Sequence, residues 1–565
     1  MLFRSIKQID IFPSFFVGND WMCAPLMVHL TCETSLYCND PHFKDTYTIF
    51  FVHNNGQDYQ FRVPYMQNGV NLLENFGLRA IDGSGNLTEE GKMFLDPHDP
   101  NLMNLIAAGI RPERRHFVGT VSPGQLFDFL ASDNKGGGEG LRYLYIEKKK
   151  QNRLFAITNG IQLEARQNDL FGFCFRDIDR TDRVAVRKAM DHIKAMQKKS
   201  RKEIATNYPE FFSHSEGIST YLVDDDYFVV TMVTRVTKQK GVNYVASFVR
   251  KVFHSGKKVV FLFVGDGDTQ LMGQLKSLVK EFPGLVGYPG KGISDQDPIY
   301  FHMYLAGDLY LAFSTWEPGG ISPMEALAFL TAVLASDKQG HKSTIKSVYV
   351  KALKDLLGVY DDEPGFNGAR FPIDDNSKDD TINHAYQAFE TLFSAWENRH
   401  KDGKWEELLE NAFFSDNSWQ RVVGEFEVLF KNVLEFDRVS SSLTLSKLLD
   451  STEKMIEAFK TKEILKIIPE FKELIPLPSV SGGHRTFSLY LRTLESFKIL
   501  LKEESQGSWG YAPAQMRAVR AALLFRDLGD SEVVVQKYQD RRLIPWEGNE
   551  RRIEQIRVAD RKSVV

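Results

Sequence analysis

Between residues 226 and 337, apolar runs alternate with amphipathic helical stretches, and few folds accept that pattern. Tyr227 to Thr234 and Lys257 to Val264 read as strands, the second bounded by Gly265-Asp266-Gly267. Val242 to His254 and Gln270 to Glu281 carry helical spacing. Asp308 to Phe313 reads as a strand, Pro323 to Leu330 as a helix, and Ala332 to Ser336 as a further strand. Strands that are apolar along their length and separated by helices predict a parallel sheet covered on both faces. Such a doubly wound α/β domain takes its ligand at the carboxyl ends of its strands.

The whole chain has 565 residues, too many for one ordinary core, and predicts two or three domains. The first region spans residues 1–225. It mixes strand-like runs (Phe12 to Val17, Tyr47 to Val52, His116 to Val121, Leu154 to Thr158) with helical stretches, and its charged segment Arg176 to Glu216 reads as helical. The doubly wound region follows over residues 226–435. Residues 436–565 form a third region with helical spacing in Leu443 to Ile475 and Phe487 to Glu503. No internal repeat or low-complexity linker is evident.

Composition excludes several classes of function. The net charge is −4, which predicts no nucleic-acid partner. The short basic runs Lys148-Lys149-Lys150 and Lys198 to Lys202 read as solvated faces. Four cysteines (Cys23, Cys32, Cys38, Cys174) lack CxxC spacing and are too sparse for a disulfide framework. They predict no zinc site and a reducing compartment. No apolar run approaches membrane-spanning length, so no membrane partner is expected. Ile11 to Val17 contains Pro13 and reads as a strand, not as a signal-peptide core.

Ser314-Thr315-Trp316-Glu317-Pro318-Gly319-Gly320-Ile321-Ser322-Pro323-Met324-Glu325 carries the most chemistry. A buried strand ends at Phe313, a loop with two glycines follows, and a helix begins. Ser322 suits an N-cap, Pro323 the first helical position, and Glu325 completes a capping box. The glycines let backbone N–H groups approach a ligand, and with the helix dipole they suit a diphosphate. Glu317 stands just before them, placed to accept hydrogen bonds from sugar hydroxyls. Glu325 alone reads as a cap, and Gly-Gly turns occur in many proteins without ligands. A second loop, Arg235-Val236-Thr237-Lys238-Gln239-Lys240-Gly241, also follows a strand. Two cations on one loop can neutralise a departing diphosphate, although alone they would read as a solvated pair.

The seven residues between Glu317 and Glu325 make this segment resemble the Glu-x7-Glu loop of retaining glycosyltransferases. Glu-Pro-Gly-Gly-Ile is similar to the Glu-Pro-Cys-Gly-Leu of bacterial glycogen synthases and plant starch synthases. Arg235 to Gly241 resembles their Arg-Leu-x-x-Gln-Lys-Gly. Asn19-Asp20-Trp21 with Ala24-Pro25-Leu26, His53-Asn54, Ala108-Gly109-Ile110, Val118 to Pro123, and Thr158-Asn159-Gly160-Ile161 resemble other segments in the family's order, with Gln162 where the family has Asp. Leu262 to Gly267 and Ala306-Gly307-Asp308 follow in place. Trp419 to Leu434 resembles the closing helix that crosses back to the first domain. The resemblance covers roughly residues 10 to 435 and rests on colinear order, since no single motif is specific alone.

The resemblance implies two facing Rossmann-like domains (the GT-B fold), the first without its opening strands, plus a helical C-terminal extension. It implies transfer of glucose from ADP-glucose or UDP-glucose to the non-reducing end of an α-1,4-glucan, with retention. Carried over residue by residue, Arg235 and Lys240 would hold the diphosphate. Gly319, Gly320 and Ile321 would cradle it, while Glu317 would bind the donor glucose. Glu325 would join the nucleotide-sugar site, His53 would contact the glucose 6-hydroxyl, and Asp20 and Asn159 would line the cleft. Neither a metal nor a cofactor is expected, because the cations are side chains. The expected compartment is the cytoplasm, or a plastid in a eukaryote whose N-terminus is incomplete.

Three departures qualify these expectations. The family's Lys-Thr-Gly-Gly-Leu loop, which precedes Asn-Asp-Trp, has no counterpart here, so a partner chain or a preceding segment is expected to supply it. Asp337-Lys338-Gln339-Gly340 replaces the family's Thr-Gly-Gly-Leu. Residues 436–565 have no family counterpart, and their Val480 to Arg485 glycine-rich stretch reads as a turn. The alternative is a catalytically impaired synthase-like subunit that binds glucan or nucleotide sugar as a structural or regulatory component.

Overall fold

All six residues are buried in each of two strands, Phe228–Val233 (β4) and Val259–Val264 (β5). A strand hidden on both faces must lie inside a covered parallel sheet. The computed structural model describes residues 12–67, 70–131, 137–212, 220–293 and 297–440. In that sheet β4 and β5 join Val286–Gly287 (β6), Leu309–Ala312 (β7), Ala332–Ser336 (β8) and Gly368–Phe371 (β9) in the order β6-β5-β4-β7-β8-β9. Every pairing is parallel. The order reverses direction between β4 and β7. That makes their carboxyl ends the topological switch point, where an open α/β sheet leaves a crevice.

Helices cover the sheet, among them Val242–His254 (α4) and Thr269–Glu281 (α5). Asp268 caps α5 by accepting the N–H groups of Gln270 and Leu271 at 2.9 and 3.0 Å. Helix α8 (Lys378–Glu397) brings Phe389, Phe393 and Trp396 around Phe228, with ring centroids 5.0 to 6.1 Å away. Burying each such side chain stabilises the fold by roughly 1.5–3 kcal/mol. Helix α3 (Arg183–Asn207) places Val186, Ile193 and Ile204 in the same apolar core. Its buried Arg201 pairs with Asp308 at 2.8 Å, and the Asp308 carboxylate accepts the Val229 N–H at 2.8 Å. The entrances of β4 and β7 are thereby tied together.

The first half contains a smaller parallel sheet in which Phe15–Asn19 (β1), Tyr47–Val52 (β2) and His116–Thr120 (β3) pair in that order. The reading of Phe12 to Val17 as the strand is shifted by two to three residues: Phe12 is 60% exposed and pairing begins at Phe15. At β1 the sheet reaches its edge among the described residues, and Val17 there is 38% exposed. Helices Ala24–Thr31 (α1) and Pro123–Leu130 (α2) lie beside it. Ser122 caps α2 through the Gln125 N–H at 3.1 Å.

The chain divides into two compact units, residues 1–145 with 156–425, and residues 146–155 with 426–565. Both parallel sheets' paired strands named above lie in the first unit. Residue 418 bridges to Ile161 there, and the Trp419 N–H donates to the Ile161 carbonyl at 3.1 Å where the helix Trp419–Ser440 (α9) begins. In the second unit Lys148 is buried and its Nζ lies 3.4 Å from Gln151 Oε1, which corrects its reading as part of a solvated run. In the run Lys198 to Lys202 the three lysines are exposed on α3 as a solvated face requires, but Arg201 is buried on its pair with Asp308, which corrects the reading there. The helical readings at Leu443 to Ile475 and Phe487 to Glu503, and the Val480 to Arg485 stretch, lie outside the described residues.

Candidate active site between the two sheets

A cavity of about 290 Å³ opens at the carboxyl ends of β4 and β7. From the second sheet it is lined by Arg235, Lys240, Glu317, Gly319, Gly320 and Ile321. From the first half come His53, Asn54 and Asn159. Two of the residues singled out above, Asp20 and Glu325, do not line it.

The loop after β4 must pass close beneath the loop after β7, and Gly241 makes this feasible. It has φ +71°, and a β-carbon there would lie 2.0 Å from the Phe313 carbonyl oxygen. The Thr315 N–H donates to the Gln239 carbonyl at 2.8 Å, which fastens one loop to the other. Lys240 is thus delivered to Glu317, with 2.5 Å between Nζ and Oε2. The same carboxylate oxygen accepts the Ser314 hydroxyl at 2.7 Å, and Oε1 accepts the Gly320 N–H at 3.3 Å. Burial pushes the Glu317 carboxyl up, but the Lys240 charge and the hydrogen bonds from Lys240 and Ser314 outweigh it and hold it below the usual carboxylate range. Arg235 is exposed on the cavity wall, with its charge available to a ligand.

The helix after the glycines, Ile321–Ala328 (α6), starts two residues earlier than the sequence suggests. Gly320, at φ +57°, takes the N-cap position, and no side chain caps the helix. The capping box read from Ser322 and Glu325 is therefore corrected: a left-handed glycine turns the chain sharply enough to begin the helix at once. Glu325 is 3% exposed and accepts the Tyr300 hydroxyl instead. The early start puts Ile321, Ser322 and Pro323 in the cavity lining, where the helix dipole favours an anion and the first two carry N–H groups.

Across the cavity, Asp20 has φ +56°, an unusual conformation for a residue with a side chain. Its N–H donates to the Phe51 carbonyl and its carboxylate accepts the His53 N–H, both at 2.8 Å. Burial raises its carboxyl pKa, and the His53 contacts oppose that shift. Asp20 is a positioning residue for His53, whose Nε2 lies 3.0 Å from Asn19 Oδ1. Asp20→Ala should lower stability by about 1.5–3 kcal/mol through loss of one charge-assisted hydrogen bond to the His53 backbone. Thermal unfolding checks this, and an unchanged melting temperature would remove the positioning role.

Two residues stand out that sequence reasoning missed. Gln339 has φ +28° in a segment where the family carries glycine. Its amide oxygen accepts the Glu317 N–H and its amide nitrogen donates to Asp128 Oδ2, each at 2.8 Å. His341 is fully buried in the helix Gln339–Thr344 (α7) and lines the cavity. Its Nδ1 lies 3.1 Å from both the carbonyl and the hydroxyl of Ser336, and its Nε2 has no partner among the described residues. Nothing local in the sequence signals either role: the Gln339 partners lie on loops far away in the chain, and His341, held by nearby Ser336, joins a cavity that only the fold assembles.

Comparison with known proteins agrees with this geometry. Residues 218–355 match the family model described as glycosyl transferases group 1. The chain is similar to the catalytic domain of Starch Synthase IV from Arabidopsis thaliana bound to ADP and acarbose, with a TM-score of 0.55. That likeness is 17% identical and covers 77% of this chain and 76% of that one. The fold is thus the GT-B fold of glycosyltransferases. Within that class the chain is glycogen/starch synthase-like. Glycogen synthase of Thermosipho africanus (strain TCF52B) is 23% identical over 437 residues, which are 77% of this chain and 74% of that protein. Glycogen synthase of Bacillus anthracis is 27% identical over 212 residues, 37% of this chain and 39% of that protein. No group of three His, Cys, Asp or Glu suited to a metal occurs among the described residues, and no described helix is long and apolar enough to cross a membrane. All four cysteines are free.

Proposed function

We propose that this chain transfers glucose from ADP-glucose or UDP-glucose to the 4-hydroxyl at the non-reducing end of an α-1,4-glucan, with retention. The observation that carries this reading is the Lys240–Glu317 pair at the switch point, beside a helix N-terminus and opposite His53. As the bond from the glucose C1 to the diphosphate breaks, negative charge grows on the leaving group. Arg235 and the Ile321 and Ser322 N–H groups of α6 stabilise it, and Lys240, paired with Glu317 at rest, turns from that carboxylate to the phosphates as well. Glu317 accepts hydrogen bonds from the donor glucose, and His53 meets its 6-hydroxyl. Asn159 sits against Gly319, between donor and acceptor. With these side-chain cations, the reaction calls for no metal or cofactor.

The test is incubation of the full chain with labelled ADP-glucose or UDP-glucose and glycogen. Label in the polymer is expected from one donor at least. If neither donor labels polymer nor binds measurably, the reading falls. Binding without transfer would mark a nucleotide-sugar-binding subunit. The Asp337 to Gly340 segment favours that second reading, because Gln339 fills a place where the family has glycine.

A further inference from the structure

The second nitrogen of His341 has no role in the chemistry above, yet it sits in the cavity wall. The Ser336 hydroxyl donates its one hydrogen to the Ser314 carbonyl at 2.5 Å. Toward His341 Nδ1 it can therefore offer only lone pairs, and the Ser336 carbonyl is an acceptor as well. With two acceptors at 3.1 Å, Nδ1 must carry the ring proton. Burial lowers the imidazole pKa; the charges of Glu317 and Asp337 oppose that shift and Lys240 adds to it. The ring is neutral, so Nε2 is a bare lone pair buried in the cavity wall.

A bare lone pair repels a phosphate oxygen and requires a donor. Its position narrows the choice. A methyl group on Gly320 would lie 3.8 Å from Nε2 and 3.7 Å from Glu317 Cγ, so the two side chains flank the same spot. The Lys240 ammonium is held on Glu317. What remains is a hydroxyl brought by the ligand. We propose that His341 Nε2 accepts a hydrogen bond from a hydroxyl of the donor hexose, so that His341 selects the sugar end of a nucleoside diphosphate sugar while Arg235 and the α6 N-terminus select the diphosphate. This rests on the glycosyl-transfer reading above.

The contact discriminates between ligands with and without the hexose, and calorimetry on the full chain reads it. ADP, UDP, ADP-glucose and UDP-glucose are titrated into the unaltered protein and into His341→Leu. Leucine removes the acceptor and should weaken the nucleotide sugar by about tenfold while leaving the free nucleoside diphosphate unchanged. His341→Gln places an amide near the Nε2 position and should restore most of the loss. His341→Asn reaches only the Ser336 end and should behave like leucine, which keeps the test intact if the leucine variant fails to fold. Equal weakening of nucleotide and nucleotide sugar, or no weakening of either, overturns the proposal. Failure of the unaltered protein to bind any of the four overturns the glycosyl-transfer reading itself.

Discussion

Glu317→Gln is expected to reduce glucosyl transfer by about 10²–10³-fold while nucleoside diphosphate affinity holds or rises. The amide keeps the shape and can still meet the Ser314 hydroxyl, so the loop should survive. It cannot pair with Lys240, whose ammonium then turns to the phosphates unopposed. A split between lost transfer and retained nucleotide binding separates the sugar contact from the diphosphate contact. Undiminished transfer would remove Glu317 from the site. The pH dependence follows with a definite sign. The folded carboxyl sits below its ordinary value of 4.5, so its contribution to stability is present above about pH 4.5 and is lost as pH falls through the depressed value. Comparing acid denaturation of the variant with that of the parent checks this.

Gly241→Ala should be the most disruptive small change, lowering stability by about 2–4 kcal/mol. The added methyl meets the carbonyl oxygen of Phe313, just past β7, and φ is positive at Gly241, so neither side can give way cheaply. Thermal unfolding measures the loss. Gly273→Ala on the exposed face of α5 is the matched control: a β-carbon there has nothing within 4 Å, and helix propensity favours alanine by about 1 kcal/mol. If the two variants melt alike, the close crossing of the two loops is not what holds Lys240 in place.

Much of the fold was legible because its signals are local. Continuous apolar runs gave β4, β5 and β8 nearly to the residue, and helical spacing gave α4 with both ends correct. Glu317, Arg235 and Lys240 were legible only through the resemblance of their loops and the colinear order of the motifs, since alone the two cations read as a solvated pair. The start of α6 was misplaced for an equally physical reason. Ser322 is a good cap by chemistry, but the helix begins where the backbone first permits it, and Gly320 permits it earlier. The role of Gln339 escaped notice because its partners, Asp128 and Glu317, are brought to it only by the fold, and that of His341 because the cavity wall it joins is assembled only there.

Gln339 has a mechanical consequence. One amide holds the Glu317 backbone with its oxygen and Asp128 of the first half with its nitrogen. Any parting of the two halves must stretch that double grip. The loop carrying Glu317 then feels the opening directly, with no relay through the sheet. A molecule arranged in this way couples the width of its mouth to the tautness of its Glu317 loop, like a drawstring threaded through both lips of a purse.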